Sequence, residues 1–292
     1  MSHHLINCDI FSHQGFIGVN KTNHYNEDCF YAGKKTFAVI DGATSLVSYD
    51  MNGLNTSAYM SQFLATFFAH HDEDEETAID LLKLARSAFY DHLKQEWPEV
   101  LAFGKLGPSA AVAVVKIHDT QTISVANISD ASIVISTEEG LKSLSPHSKR
   151  HAELDAELGR RIFAQKQRGL LVQEARALPE IKEFLEANRN LSNVEYGVFN
   201  AEEEVENFLH GQMVHIDGCT QIGLFTDGFL APEAKGDEEA LLLTMKHMQE
   251  LGVSGYYKNL KELYDSDPAF SKFNRLKHID DTTGMLLTFD GQ

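Results

Sequence analysis

The sequence predicts an α+β protein in which helices cover antiparallel strands. Segments rich in Val and Ile at residues 111–117, 123–128 and 133–135 follow one another too closely for crossover helices, so they must form antiparallel strands. Pairs of helices precede and follow this block of strands. Such alternation is typical of α+β layers and excludes a doubly wound parallel sheet.

The first predicted pair of helices spans residues 54–68 and 77–94. Apolar residues in the first recur at helical spacing and form one face. They are Met60, Phe63, Leu64, Phe67 and Phe68. The second helix carries a similar face, made of Ile79, Leu82, Phe89 and Leu93. Another pair of helices is predicted within residues 237–251 and 255–264, before a last strand at residues 284–289.

The chain has 292 residues, with no internal repeat and no low-complexity linker. These features favour a single domain over residues 1–292. Residues 146–208 interrupt the pattern of strands with a polar, largely helical segment. A connection of this length is unusual, since ~4–6 residues is typical and long connections are often functional.

The 43 acidic residues outnumber the 25 basic residues and give a formal charge of −18. Nucleic acids and anionic membranes bind through Lys and Arg, so we expect neither as a partner. The three cysteines are odd in number and widely spaced, which predicts a reducing compartment without a disulfide framework. Because no signal peptide or apolar stretch of ~18 residues is visible, we expect a cytoplasmic location.

Four acidic groups adjoin predicted strands. They are Asn26-Glu27-Asp28, Asp41-Gly42, Asp227-Gly228 and Asp280-Asp281. A single Asp-Gly pair means little, because Gly tolerates positive φ and Asp bonds its own backbone, which makes the pair common in turns. Sheet packing, however, can bring strand ends together although they are far apart in sequence. The four groups therefore predict a cluster of carboxylates.

Clustered carboxylates repel one another unless a cation holds them. The groups offer oxygen ligands, without cysteine and without paired histidines on a helix. Such a set favours hard ions such as Mg²⁺, Mn²⁺ or Ca²⁺ over zinc. The sequence therefore predicts a site for hard divalent cations.

Six segments resemble, in order, the motifs of the type 2C protein phosphatases, the metal-dependent serine/threonine phosphatases, in a bacterial-like form. They are Asn26-Glu27-Asp28, Val39-Ile40-Asp41-Gly42, Gly107-Pro108-Ser109-Ala110-Ala111, Ala126-Asn127-Ile128-Ser129-Asp130-Ala131, Leu224-Phe225-Thr226-Asp227-Gly228 and Asp280-Asp281-Thr282-Thr283. No single motif is decisive, but their order over residues 15–289 is specific.

The resemblance implies a four-layer α-β-β-α sandwich, in which helices cover two antiparallel sheets packed together. It implies two ions, Mn²⁺ or Mg²⁺, held by Asp41, Gly42 (through its carbonyl), Asp227 and Asp280. Glu27 and Asp28 would hold waters bound to the ions. A water activated by the ions would attack phosphorus in line, without a phosphoenzyme. The implied reaction is hydrolysis of phosphoserine or phosphothreonine, and the implied partner is a phosphoprotein.

Two positions near the expected site depart from the family's pattern. Ala43 stands where many members have a histidine proposed as the acid for the leaving group, although bacterial members often lack it too. Asn23 stands where the family usually has an arginine that binds phosphate. Lys21 and His24 lie close by and could substitute, but lysine is a point charge rather than a fork.

A third ion, found in some members, would use Asp130 together with a second aspartate. Ala231 replaces that aspartate here, and Glu233 is near but out of register. The departures at Asn23 and Ala43 leave two alternatives to an active protein phosphatase. One is a catalytically weak relative that binds a phosphoprotein or regulates a partner, and the other is a hydrolase of small phosphate esters.

We expect residues 146–208 to form a flap beside the site and to set substrate choice. The segment concentrates cations in an acidic protein, at Lys149, Arg150, Arg160, Arg161, Lys166 and Arg168. These cations could attract a phosphorylated peptide. Alternatively, they pair with Glu153, Asp155 and Glu157 on a solvated helical face.

Overall fold

A computed structural model describes most of the chain. The described residues are 6–18, 21–22, 25–146, 148–268, 270, 272–273 and 275–289. His24, an expected phosphate-binding residue, lies outside them, as does Asn23. Among the residues described, no helix is both long and apolar enough to cross a bilayer.

The strands run from near the amino terminus to residue 289. In chain order they are β1 (Ile6–His13), β2 (Phe16–Gly18), β3 (Lys21–Thr22), β4 (Asp28–Ala32), β5 (Thr36–Ala43), β6 (Asp50–Met51), β7 (Leu54–Asn55), β8 (Ser109–Ile117), β9 (Thr122–Ile128), β10 (Ser132–Thr137), β11 (Gly140–Ser143), β12 (His210–His215), β13 (Cys219–Phe225) and β14 (Thr282–Phe289).

Two five-stranded sheets dominate the fold. Sheet I has the order β1-β14-β13-β10-β11, and sheet II has the order β12-β9-β8-β5-β4. Every pairing within both sheets is antiparallel. The expectation of two antiparallel sheets is confirmed.

The helices cover both sheets and fill the long connection between β11 and β12. In chain order they are α1 (Thr56–His70), α2 (Ala78–Glu96), α3 (Pro98–Leu101), α4 (Lys149–Lys166), α5 (Val172–Arg176), α6 (Pro179–Arg189), α7 (Asp237–Leu251) and α8 (Val253–Asp265). Short 3₁₀ helices occupy Gly104–Leu106, Glu203–Phe208 and Asp227–Phe229. Helices α1 and α2 pack on sheet II, and α7 and α8 pack on sheet I.

Side-chain alternation along the strands builds the layers. On β5, Ala38 and Ile40 join the apolar cluster shared with α1 and α2. Phe37 and Val39 point the other way, into the cluster between the two sheets. On β14, Leu286 packs in the cluster shared with α7 and α8, whereas its two neighbours face sheet II. Because successive side chains on a strand take opposite faces, each sheet is buried on both sides. The observed architecture is therefore the expected α-β-β-α sandwich.

The strand that carries Asp41 runs further than the sequence indicated. We expected the Asp41-Gly42 pair to end the strand in a turn, but β5 continues to Ala43. Asp41 pairs with Ala111 and Gly42 with Ala110 on β8. The turn expectation is wrong because the partner strand β8 extends past the glycine, and an Asp-Gly pair marks a turn only where strand pairing stops.

Some strands have no apolar alternation in the sequence that would predict them. β12 is an edge strand of sheet II, and five of its six residues are exposed. Exposed edge strands need no regular apolar alternation, so this segment was not recognised. The short β11, at the edge of sheet I, was missed for the same reason.

Residues 146–208 contain α4, α5, α6 and the 3₁₀ helix Glu203–Phe208. The helices have a small apolar core of their own, made of Leu158, Ile162, Ala175 and Ile181. Leu154 packs with Tyr196 and Val198 in a second small cluster. We call residues 146–208 the flap.

A buried carboxylate holds the hairpin that aligns the acidic strands. Asp72, just after α1, accepts hydrogen bonds from the backbone N–H groups of Lys34, Lys35 and Thr36 at 2.8–3.2 Å. Those residues form the turn between β4 and β5. The buried Lys116 ammonium donates to the Asp72 carbonyl at 2.7 Å. These bonds fix the register of β4 and β5, and with it the place of Asp41.

Replacing Asp72 with asparagine is expected to destabilise the fold by about 1–3 kcal/mol, because the turn loses charge-assisted hydrogen bonds. Burial opposes ionisation of Asp72, but the backbone N–H donors outweigh it and lower its pKa. The wild type therefore loses this stabilisation as the pH falls below about 4. Urea unfolding at pH 7 and at pH 3 measures both effects.

Asp91→Asn, on the exposed face of α2, is the matched control. It is expected to unfold like the wild type at both pH values. An Asp72→Asn variant as stable as this control at pH 7 would contradict the role of Asp72.

Candidate functional site

The predicted acidic residues other than Asp28 line one cleft, to which both sheets contribute. Asp28 and Asp41 are cross-strand partners on β4 and β5 of sheet II. Asp227 directly follows β13, after Thr226, and Asp280 precedes β14, both strands of sheet I. Asp41, Asp227 and Asp280 border a cleft of about 520 Å³ together with Gly42 and Glu27. Packing of the two sheets thus gathers residues that lie far apart in sequence.

The cluster holds more negative charge than its surroundings stabilise. Burial raises the pKa of Asp41 well above its usual range, and the charges of Asp28, Asp227, Asp130 and Asp280 raise it further. Burial also raises the pKa of Asp227 to about 7, with Asp280 as the next cause. At Asp227, burial and the neighbouring carboxylates outweigh the positive charge of Lys277, which lowers the pKa of this carboxyl.

A hard divalent cation fits this charge deficit. Asp28 Oδ2 accepts from the Thr226 hydroxyl at 2.9 Å, whereas Asp28 Oδ1 is buried without a hydrogen-bond partner among the described residues. An unpaired buried carboxylate oxygen is costly, and a cation would satisfy it. Lys277 forms an ion pair with Asp280. The remaining acids offer only oxygen ligands, which suits Mg²⁺ or Mn²⁺.

Glu27 is held by neutral donors on both carboxylate oxygens. Thr44 Oγ1 donates to Oε2 at 2.5 Å, and the Asn55 amide donates to Oε1 at 2.8 Å. Its backbone carbonyl accepts from the Ser61 hydroxyl and from the Gly42 N–H. Burial raises the pKa of Glu27 in spite of these bonds. The carboxylate is thus oriented before any ion or water binds.

The glycine of each Asp-Gly pair is required by a close approach. A Cβ at Gly42 would lie 2.6 Å from the Glu27 carbonyl oxygen, and one at Gly228 would lie 2.1 Å from the Asp281 carbonyl oxygen. Neither glycine has a positive φ. Any side chain at Gly42 or Gly228 would therefore collide with the neighbouring backbone, so only glycine fits at these two positions.

Asp281 ties three segments together, a role that the sequence did not indicate. Its carboxylate accepts from the backbone N–H of Gly15 at 2.6 Å and from that of Glu27 at 2.9 Å. The residue itself is buried at the start of β14. No local pattern distinguishes it from the adjacent Asp280, because both partners are distant in sequence.

Asp130, expected to bind a third ion, has unexpected neighbours. Its carboxylate, the imidazole of His151 and the carboxylate of Asp155 have candidate ligand atoms within 4.8 Å of one another. The last two side chains belong to the flap helix α4. The preceding Ser129 has a φ of 66°, in the left-handed region that favours glycine. Glu233, the out-of-register alternative, lies 2.9 Å from the His247 ring instead.

Phosphate binding by Lys21 or His24 stays a prediction. Lys21 lies in β3, and His24 is outside the described residues. The cleft contains other cations, at Arg176, Arg189, Arg275 and Lys277. Sequence reasoning missed all four, since nothing in their local sequence marks a cation that faces a cleft.

Three of the six flap cations that the sequence singled out form ion pairs with flap carboxylates. Arg160 and Arg161 each lie 2.8 Å from Glu157. Arg150 lies 2.5 Å from Glu195. These contacts match the solvated, self-paired face rather than a patch that awaits a phosphopeptide.

Comparison with known proteins relates the chain to a class of enzymes through its fold. No family model matches the sequence, and no curated protein matches it. Solved structures do match over nearly the whole chain, and serine/threonine phosphatases of bacteria are among them.

The serine/threonine phosphatase PstP/Ppp of Mycobacterium tuberculosis is 18% identical, with a TM-score of 0.59 over 98% of this chain and 99% of that chain. The catalytic domain of PstP in complex with two manganese ions is 17% identical, with a TM-score of 0.56 over 98% and 99% of the two chains. Stp1 of Staphylococcus aureus is 12% identical, with a TM-score of 0.55 over 99% and 96%. At these identities the likeness establishes a shared fold.

Asp227→Asn is expected to raise the melting temperature of the metal-free protein at pH 8, because it removes a charge that Asp280 and Asp130 repel. The folded protein keeps a proton on Asp227, with a pKa of about 7, that the unfolded chain releases near pH 4. Wild-type stability should therefore fall as the pH rises between those values. Thermal unfolding in EDTA from pH 4 to pH 8 measures the effect.

Adding Mn²⁺ should raise the melting temperature of the wild type at pH 8, and raise that of Asp227→Asn much less. The exposed Asp217→Asn serves as the control and should behave as the wild type. Equal responses of wild type and Asp227→Asn to Mn²⁺ would place the ion elsewhere.

Proposed function

We propose that the protein is a metal-dependent phosphatase that hydrolyses phosphoserine or phosphothreonine on proteins. One observation carries the proposal: aspartates from both sheets converge on a single cleft, where burial and their mutual repulsion raise the pKa values of Asp41 and Asp227. The shared fold supports it, since one solved neighbour is a phosphatase domain in complex with two manganese ions. The chemistry of an oxygen-only cluster is that of Mn²⁺ or Mg²⁺.

Asp41, Asp227, Asp280 and the Gly42 carbonyl would hold two ions in this cleft. Bound there, such ions lower the pKa of a bridging water and neutralise the phosphoryl oxygens. Glu27, already oriented by two donors, would accept a hydrogen bond from a water on the ions. Asp28 would do the same through Oδ1, which has no other partner among the described residues.

Proton delivery to the leaving alkoxide would come from water. Ala43, at the position of the family's histidine, borders the cleft and has no titratable group. The histidine that does border the cleft, His151, lies close to Asp130 and Asp155. We assign these three residues to a third ion, because an imidazole and two carboxylates form a suitable ligand set.

The substrate would be a phosphoprotein, bound between the acidic cleft and the flap. Leu158, Gly159 and Val198 of the flap border the cleft, so a substrate segment would contact them. We assign the protein to the cytoplasm, where its cysteines would stay reduced. Their thiols are free, and burial raises the pKa of Cys8 and of Cys219 to about 11, which suppresses thiolate chemistry.

The proposed activity predicts Mn²⁺-dependent hydrolysis of p-nitrophenyl phosphate. EDTA should abolish turnover, and Mn²⁺ or Mg²⁺ should restore it. Asp227→Asn should lose at least ~100-fold in kcat, since the lost carboxylate stabilises the ions that carry the transition-state charge. Full turnover in EDTA would rule out the proposed reaction.

Phosphopeptides distinguish a protein phosphatase from a hydrolase of small esters. A protein phosphatase should have a higher kcat/KM on a phosphoserine or phosphothreonine peptide than on p-nitrophenyl phosphate, because the flap adds binding energy. A preference for small esters would favour the small-ester hydrolase instead.

A second candidate function, phosphoprotein binding with weak turnover, rests on one observation. The Lys277 ammonium pairs with Asp280, an expected metal ligand, and so competes with a cation for it. Lys277→Met should then raise the affinity for Mn²⁺ by on the order of 10-fold, because a nearby positive charge is removed.

Isothermal titration with Mn²⁺ measures this affinity, and Lys142→Met, on the exposed edge strand β11, is the control. If Lys277→Met binds Mn²⁺ more tightly and gains turnover, then Lys277 weakens metal binding and lowers turnover in the wild type. Unchanged affinity would remove the support for the weak-turnover alternative.

A further inference from the structure

Five of the six arginines of the flap fall into two groups. Arg150, Arg160 and Arg161 form ion pairs with glutamates of the flap. Arg176 and Arg189, at the ends of α5 and α6, border the cleft that contains the acidic cluster. Neither makes an ion pair with a carboxylate in the described part of the chain. Two flap arginines without an ion pair among the described residues therefore border the cleft, whereas Arg168 donates to the Gln165 side chain and does not border it.

Arg189 is held in place by neutral acceptors. Its guanidinium donates from Nη1 to the Ser109 hydroxyl and from Nη2 to the Thr44 carbonyl at 3.0 Å. Both acceptors lie at the cleft end of sheet II, one residue beyond β5 and at the first residue of β8. A guanidinium has five N–H donors, and these two bonds leave several without a described acceptor. The Arg189 side chain is thus oriented, but only some of its N–H donors have a hydrogen-bond acceptor among the described residues.

The positive charge of Arg176 makes the charged state of Arg189 less favourable when no anion is bound near it. Burial lowers the pKa of Arg189, and the positive charge of Arg176 lowers it further, whereas the charges of Tyr196, Glu27 and Asp155 raise it. Two cations that weaken each other in a cleft are stable together when an anion binds between them. The other cations of the cleft are already paired, Arg275 with Asp267 at 2.8 Å and Lys277 with Asp280.

We propose that Arg189, with Arg176 beside it, binds the phosphoryl group of the substrate from the flap side of the cleft. This inference rests on the proposed function and assigns to the flap the role that the sequence gave to Lys21 or His24. The ligand is a phosphate monoester dianion, or the inorganic phosphate that hydrolysis releases. Arginine suits it because its planar fork matches two phosphate oxygens.

The arrangement places the phosphoryl group between flap arginines and the carboxylate cluster. Thr44 links the two, since its carbonyl accepts from Arg189 while its hydroxyl donates to Glu27. The guanidinium would therefore be fixed relative to the acids before substrate arrives, which lowers the cost of ordering it. Because Arg189 ends α6, phosphate binding would also hold the flap against the core.

The test is the affinity of the Mn²⁺-loaded protein for inorganic phosphate, measured by calorimetry and as the inhibition constant against p-nitrophenyl phosphate. Arg189→Gln should weaken phosphate binding by ~10–100-fold, since a charge-assisted fork is lost. Arg189→Lys should lose less, because the charge remains. KM should rise in parallel with the inhibition constant.

Arg160→Gln is the matched control, since Arg160 belongs to the same flap but pairs with Glu157. It should bind phosphate as the wild type does. Mn²⁺ affinity should be unchanged in the Arg189 variants, which separates a lost phosphate contact from a damaged metal site. If Arg189 only attaches the flap to the core, its variants should have a lower melting temperature and an unchanged inhibition constant for phosphate. That result would overturn the inference.

The outcomes also separate this inference from the proposed function. An active wild type whose Arg189 variants bind phosphate normally would keep the phosphatase and reject the role of Arg189. A wild type without turnover whose phosphate binding depends on Arg189 would keep the anion site and reject the reaction.

Discussion

The fold concentrates negative charge between two packed sheets, and the site's other features depend on that. Asp28 and Asp41 are cross-strand neighbours in sheet II, and Asp227 is held at the adjoining end of sheet I. Burial raises the pKa values of all three carboxyls, so the apolar layers that stabilise the sandwich also make the cluster unfavourable when no positive charge balances it. A fold that retains such a cost is consistent with a site that binds cations, since a bound cation would recover the lost free energy.

Rigid neighbours set the geometry of the cluster. Neutral donors orient Glu27, and the carboxylate of Asp281 holds two backbone N–H groups that would otherwise be free to move. At Gly42 and Gly228 the backbones approach so closely that no side chain fits. These contacts place each of the expected ligands on a strand or close to the end of one, where sheet pairing resists displacement. The flap differs, because it has its own small core and meets the cleft through Arg189 and its neighbours.

Charge is distributed unequally between these two parts. The core supplies Asp41 and Asp227, the flap supplies Arg176 and Arg189, and none of these four forms an ion pair among the described residues. These aspartates and arginines form no ion pairs with each other in the described part of the chain. The cleft between them therefore has space for ions and an anionic group. The exposed cations of α4 pair locally with Glu157 and so add little to this field, because exposed pairs are screened by water.

The sequence by itself determined the layered architecture of helices and sheets and the acidic residues of the candidate site. Alternating apolar residues on the strands and helical faces such as that of residues 60–68 report burial directly, because period follows secondary structure. The Asp-Gly pairs marked strand ends, although Gly42 proved to lie within β5. Only the tertiary structure decided which cations face the cleft, what Asp281 holds, and that His151 approaches Asp130. Those contacts join segments separated by tens to hundreds of residues, and their partners are chosen by the packing of sheets and flap rather than by any local pattern.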